Sequence, residues 1–184
     1  KYQSFQKLIL SCVALIVGVS AFATYNQSKV WKDTFSLWTK FSEVYPERSF
    51  GETKKAEYCL KKGDEEKALQ IFYETLKRIP HASDAHMGIG NILGKRGQIE
   101  EALKYIDYAA TIDPNLKNVF TNRAITYSML KQYDKALPDY AEAIRRDPNN
   151  YTIRQNRAYA LLDYGKLEEA VADYSYVLQF EPGN

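Results

Sequence analysis

Prolines stand at positions 46, 80, 114, 148 and 182, each 34 residues after the last, and alanines at 68, 102, 136 and 170 keep the same interval. A fixed period of that length demands a small unit copied in tandem, one that buries its apolar face only by stacking on its neighbours. Between these markers Gly63, Gly97 and Gly165 recur, and Lys131 holds the one position where the glycine fails. Apolar residues fall at helical spacing, as in Ala68, Ile71, Phe72 and Leu76 or Ala102, Tyr105, Ile106 and Ala109, and no strand-type alternation competes with them. Each unit therefore reads as a helix, a turn and a second helix.

The recurring residues each have a physical reason. Alanine suits the point where the two helices of a unit cross, because a larger side chain would hold the backbones apart. Proline closes a unit because it cannot continue the preceding helix, and it is tolerated where the next one begins. Glycine supplies the positive φ common at a helix end, so Lys131 must either take that strained conformation or use a different turn. Acidic pairs at Glu65-Glu66, Glu100-Glu101 and Glu168-Glu169 open the second helices, where the macrodipole favours negative charge. They are caps, not paired catalytic carboxylates. Pro138 lies inside the second helix of its unit and predicts a local bend.

From about Ser49 to Asn184 the sequence resembles the tetratricopeptide repeat family, with repeats over 49–82, 83–116, 117–150 and 151–184. The small residue of helix A is Ala56, Gly90, Ala124 and Ala158, and the helix B aromatic position holds Phe72, Ile106, Tyr140 and Tyr174. The leading Trp of the family pattern is absent, replaced by Glu52, His86, Phe120 and Arg154. The resemblance implies an all-α fold, a right-handed solenoid of antiparallel helix pairs, that binds extended peptides or helices along a concave face made by the A helices. Register places Met87, Asn91 and Lys95 there, with Asn118, Asn122, Ile125 and Met129, and then Gln155, Asn156, Tyr159 and Leu162. Asn91, Asn122 and Asn156 carry paired donors and acceptors suited to a peptide backbone. Chaperone-tail binders of the family grip a terminal carboxylate with cationic residues, where this chain has Met87, Thr152 and Asn156, so that grip is not expected. Arg123 and Arg157 are expected to pair with nearby acidic side chains in a structural role.

Before the repeats, residues 8–25 carry no charge, near the lower limit for a helix crossing about 30 Å of hydrocarbon. A membrane span is the leading reading, with 1–7 as its flank, lipid as a partner, and Tyr25 and Trp31 at the interface. A secretory signal peptide is the rival, because Ala21-Phe22-Ala23 imitates a cleavage site. Residues 26–48 form a linker and capping helix: counting back one period sets Thr34, Trp38 and Pro46 in register with Ala68, Phe72 and Pro80, a helix B without its helix A. Leu37, Trp38 and Phe41 are expected to pack on the first repeat. An apolar helix, then VWKDTFSLW, then repeats, is similar to the end of TMTC-like multispanning proteins related to O-mannosyltransferases. That likeness implies repeats on the extracytoplasmic side, either as a tethered interaction scaffold or as the substrate-positioning domain of a GT-C-type O-glycosyltransferase. The chain is expected to be a piece of a longer protein.

Enzymatic chemistry finds no support in these residues. A net charge of +2 gives no basis for a nucleic-acid partner, and Cys12 and Cys59 form neither a disulfide framework nor a metal cluster. His81 and His86 stand five apart and do not share a helix face well enough to hold a metal, and no phosphate loop or nucleophilic triad occurs. No cofactor is expected. The partner is a protein or peptide in the groove, with self-association through the last helix as a further possibility.

Overall fold

The computed structural model of the chain describes residues 34–180. After α1 (Thr34–Val44) come four helix pairs: α2 (Phe50–Lys61) with α3 (Glu65–Arg78), α4 (Ser83–Lys95) with α5 (Ile99–Ile112), α6 (Val119–Met129) with α7 (Tyr133–Arg146), and α8 (Tyr151–Asp163) with α9 (Leu167–Phe180). Among the described residues there is no strand. The fold is an all-α helical-repeat solenoid.

Local chemistry sets the turns. Asp64 caps α3, its carboxylate accepting the Lys67 backbone N–H at 3.1 Å, with Glu65 and Glu66 in the first turn. Gly63, Gly97 and Gly165 take φ of 80°, 78° and 83° between paired helices, and Lys131 takes the same left-handed conformation at 57°. Lys131 thus accepts the strain instead of changing the turn. The alanines at 56, 68, 102, 124, 136, 158 and 170 are fully buried where helices cross, and Phe72, Ile106 and Tyr140 fill the space beside them. α7 runs unbroken through Pro138, whose ring lies on the exposed side.

α1 packs on α2, at the start of the described stack. Trp38 meets Phe50 edge-on with ring centroids 5.4 Å apart, Phe41 meets the same ring at 5.9 Å, and Phe35 leans on Tyr58 at 5.8 Å. Gly51 is buried against Ser42 and Phe41, and a Cβ there would collide with both side chains.

Helices α2, α4, α6 and α8 each touch the next of their set, whereas among α3, α5, α7 and α9 none touches another. The first set therefore follows the shorter, inner path of the stack and lines its concave side. The second set forms the outer side.

The membrane location expected from the sequence is corrected: among the described residues no helix is long and apolar enough to cross a membrane. The longest helices have 14 residues. Such a helix rises only about 21 Å against ~30 Å of hydrocarbon. The span and lipid contact expected over 8–25, with Tyr25 and Trp31, lie outside the described residues.

Candidate functional site: the concave face

Three columns of side chains, one residue from each inner helix at intervals of 34, run across the concave face. The first is Lys54, Asn122 and Asn156, interrupted at Gly88, which is set against the Phe72 ring of α3; the second Glu57, Asn91, Ile125 and Tyr159; the third Lys61, Lys95, Met129 and Asp163. Neighbouring columns meet between α4 and α6, where Asn122 Nδ2 donates to Asn91 Oδ1 at 2.9 Å. That bond leaves the N–H donors of Asn91 and the carbonyl oxygen of Asn122 for a ligand.

The residues expected in the groove are divided by the structure. Asn91, Lys95, Met129, Tyr159 and Leu162 are exposed, and Asn122, Gln155 and Asn156 are half-buried on the inner helices. Ile125 is half-buried against the cluster formed by Ala124, Tyr133 and Tyr140. Met87 is drawn inward onto Ala109, Ala110 and Val119, away from the open face. Asn118 is not on a helix at all: it precedes α6 with φ 63°, and α6 starts two residues later than α4 and α8 do in their units. Asparagine tolerates that left-handed conformation better than most residues.

The first unit's share of the face went unnoticed in the sequence. Thr34, Trp38, Lys54, Glu57, Tyr58, Lys61 and Lys62 line a cleft of about 490 Å³ between α1 and α2. Counting back 34 from Lys95 and Asn91 to Lys61 and Glu57 is the signal that finds it. Lys54 pairs with Glu57 at 2.7 Å, whereas Lys61, Lys62 and Lys95 have no carboxylate within ion-pair distance among the described residues. Lys62 lies over the Tyr58 ring at 5.7 Å.

The arginines beside the groove are structural. Arg123 grips buried Asp139 with two hydrogen bonds of 2.7 and 2.8 Å and reaches Asp107 at 2.9 Å. Hydrogen bonding to Asp139 pushes the guanidinium pKa up against the opposing effect of burial. One period later Arg157 grips buried Asp173 with two bonds of 2.6 Å, and Arg154 lies over the Tyr176 ring at 3.9 Å. These bidentate pairs tie helix A to helix B within a unit. His81 Nδ1 meets the Tyr108 hydroxyl at 2.8 Å, and His86 Nε2 donates to the Pro80 carbonyl at 2.9 Å. Among the described residues no group of His, Cys, Asp and Glu could hold a metal ion.

A stack of antiparallel helix pairs with a continuous inner face defines a helical-repeat binding scaffold. The chain belongs to the tetratricopeptide repeat family, whose models match residues 53–116, 118–150 and 140–172. The fold is shared with YrrB, described as a tetratricopeptide repeat protein with an unusual peptide-binding site: TM-score 0.69, 23% identity, over 80% of this chain and 76% of that one. It is shared also with MamA: TM-score 0.67, 15% identity, over 86% of this chain and 93% of that one. A further match is MamA of Desulfovibrio magneticus RS-1, with TM-score 0.65, 18% identity and coverage of 83% and 78%. The chain is accordingly a repeat-built interaction scaffold.

Proposed function

We propose that the concave face formed by α2, α4, α6 and α8 holds an extended peptide or a helix from a partner protein. The observation carrying this reading is the exposure of large apolar side chains on the inner side: Met129 is 55% and Tyr159 57% accessible, with Leu162 close by in sequence on α8. Such residues on a concave surface favour an apolar ligand. The Asn91 and Asn122 amides supply sequence-tolerant hydrogen bonding to its backbone. Peptides selected from a random library against the chain should lose binding when Asn122→Arg fills the groove. Selected peptides that bind Asn122→Arg and Tyr159→Ala as well as the parent chain would remove the groove from consideration.

A second reading is self-association through α9. Leu178 is 57% exposed, whereas Ile144, one period earlier, is 8% exposed beneath the following unit. Leu167 and Val171 are also exposed on α9. A second copy stacked on that face would cover them. Light scattering should then give a mass that rises with concentration and falls back on Val171→Asp; a concentration-independent monomer counts against it. The alternative that the repeats position substrate for a sugar transferase rests on the sequence of the junction alone. Deleting 49–184 from the full-length protein tests it, and unchanged transfer to a small acceptor peptide removes it.

A further inference from the structure

We infer, on the basis of that groove reading, that the ligand is a two-part peptide: acidic where it crosses α2 and α4, and aliphatic or aromatic where it crosses α6 and α8. The columns change chemistry along the stack. Lys61 and Lys95 occupy the third column in the first two units, and Met129 follows them in the third. In the second column Glu57 and Asn91 give way to Ile125 and Tyr159.

The basic end is unsatisfied within the described chain. Lys54 has its carboxylate partner in Glu57, but the ammonium groups of Lys61, Lys62 and Lys95 have none. Lys61 and Lys62 line the cleft of about 490 Å³ whose walls include Trp38 and Tyr58. A carboxylate seated there gains charge-assisted hydrogen bonds from donors already gathered on one face. At the apolar end Met129, Tyr159 and Leu162 offer surface to Leu or Phe side chains, and Tyr159 is itself propped edge-on against Tyr174 at 5.7 Å.

Geometry fixes the spacing of the two parts. Touching helices lie about 8–10 Å apart and an extended peptide advances about 3.3 Å per residue, so each inner helix corresponds to about three ligand residues. The acidic and apolar anchors are then separated by about three to nine residues. Exposed ammonium groups add modest, salt-screened attraction that speeds encounter, while burial of the apolar part sets the residence time.

The test uses the full 184-residue chain and fluorescein-labelled peptides carrying an Asp/Glu block and a Leu/Phe block in either order, read by anisotropy across a salt series. One order is expected to bind, with affinity falling as salt rises. Lys61→Glu with Lys95→Glu should weaken it about tenfold or more, and Met129→Ser with Tyr159→Ser should do likewise, a loss equivalent to about 1.4 kcal/mol. Lys104→Glu, on an outer helix, should leave it unchanged. The inference is overturned if neither order binds, if an Asn/Gln block serves as well as Asp/Glu, or if the double lysine variant keeps full affinity. Equal binding of oligothymidylate would overturn it in favour of a phosphate-backbone ligand. Library peptides that are lost on Asn122→Arg yet lack an acidic block would sink this inference while leaving the groove reading intact; a library with no groove-dependent binder would sink both.

Discussion

Lys131 shows how closely one residue can be read. It sits at the turn where the other three units use glycine, and its φ of 57° is the left-handed conformation those glycines adopt. A side chain in that region costs about 1–2 kcal/mol, and glycine gives back part of the gain through the larger entropy of its unfolded chain. Lys131→Gly should therefore stabilise the protein by about 0.5–1 kcal/mol in urea titration, and a neutral or destabilising result would mean that the lysine side chain makes a compensating contact. Cys59 is a second case. It is buried at the end of α2, and burial pushes its thiol pKa up, outweighing the lowering effect of Lys67. In a Cys12→Ser background the native thiol should react with a disulfide reagent at pH 8 at least about a hundredfold more slowly than in the urea-unfolded chain. Comparable rates would place the sulfur in solvent.

At the scale of the element, each helix pair solves the same packing problem with different chemistry. Arg123 and Asp139 in the third unit occupy the positions of Ile89 and Tyr105 in the second, so a charged clasp and an apolar contact are interchangeable solutions. Breaking the clasp from one side leaves a buried or half-buried charge, and Asp139→Tyr or Arg123→Ile alone should cost about 2–3 kcal/mol after allowance for the partial exposure of the arginine. The double variant should cost at least 1 kcal/mol less than the sum, roughly the coupling expected of contacting residues; strict additivity in thermal unfolding would contradict the interchange. The helix pairs themselves were legible in the sequence, because Pro, Gly and Ala each act locally and recur every 34 residues. Trp38 and Phe41 of α1 pack on Phe50 at the start of the first pair. What escaped depends on context: the late start of α6 turns on the left-handed Asn118, and Met87 leaves the groove because Ala109 and Ala110 make room beneath it. The Asn91–Asn122 bond links residues 31 apart, an interval that no column of the 34-residue period contains.

The whole molecule is a one-dimensional stack, and its stability is correspondingly a sum of terms within units and between neighbours. Among the described residues, helices α4 to α7 have packed elements on both sides along the stack, while α9 packs on α8 and α1 mainly on α2, with Phe35 reaching Lys67 of α3. Opening α9 exposes only one interface, whereas opening α5 disrupts contacts with both α4 and α6. Local opening free energy should therefore be lowest at the ends and highest in the middle. Native-state hydrogen exchange on a dilute sample should show amides of α9 exchanging fastest, those of α1 next, and those of α4 to α7 slowest. The same experiment discriminates the binding modes of the scaffold, because each covers a different part of the stack. A peptide in the groove should slow exchange in the inner helices and leave α9 nearly unchanged. A second copy on Leu167, Val171 and Leu178 should slow α9 as concentration rises, without any ligand. Uniform protection of all nine described helices at low concentration would contradict the nearest-neighbour account, since it would require the solenoid to open only as one cooperative unit.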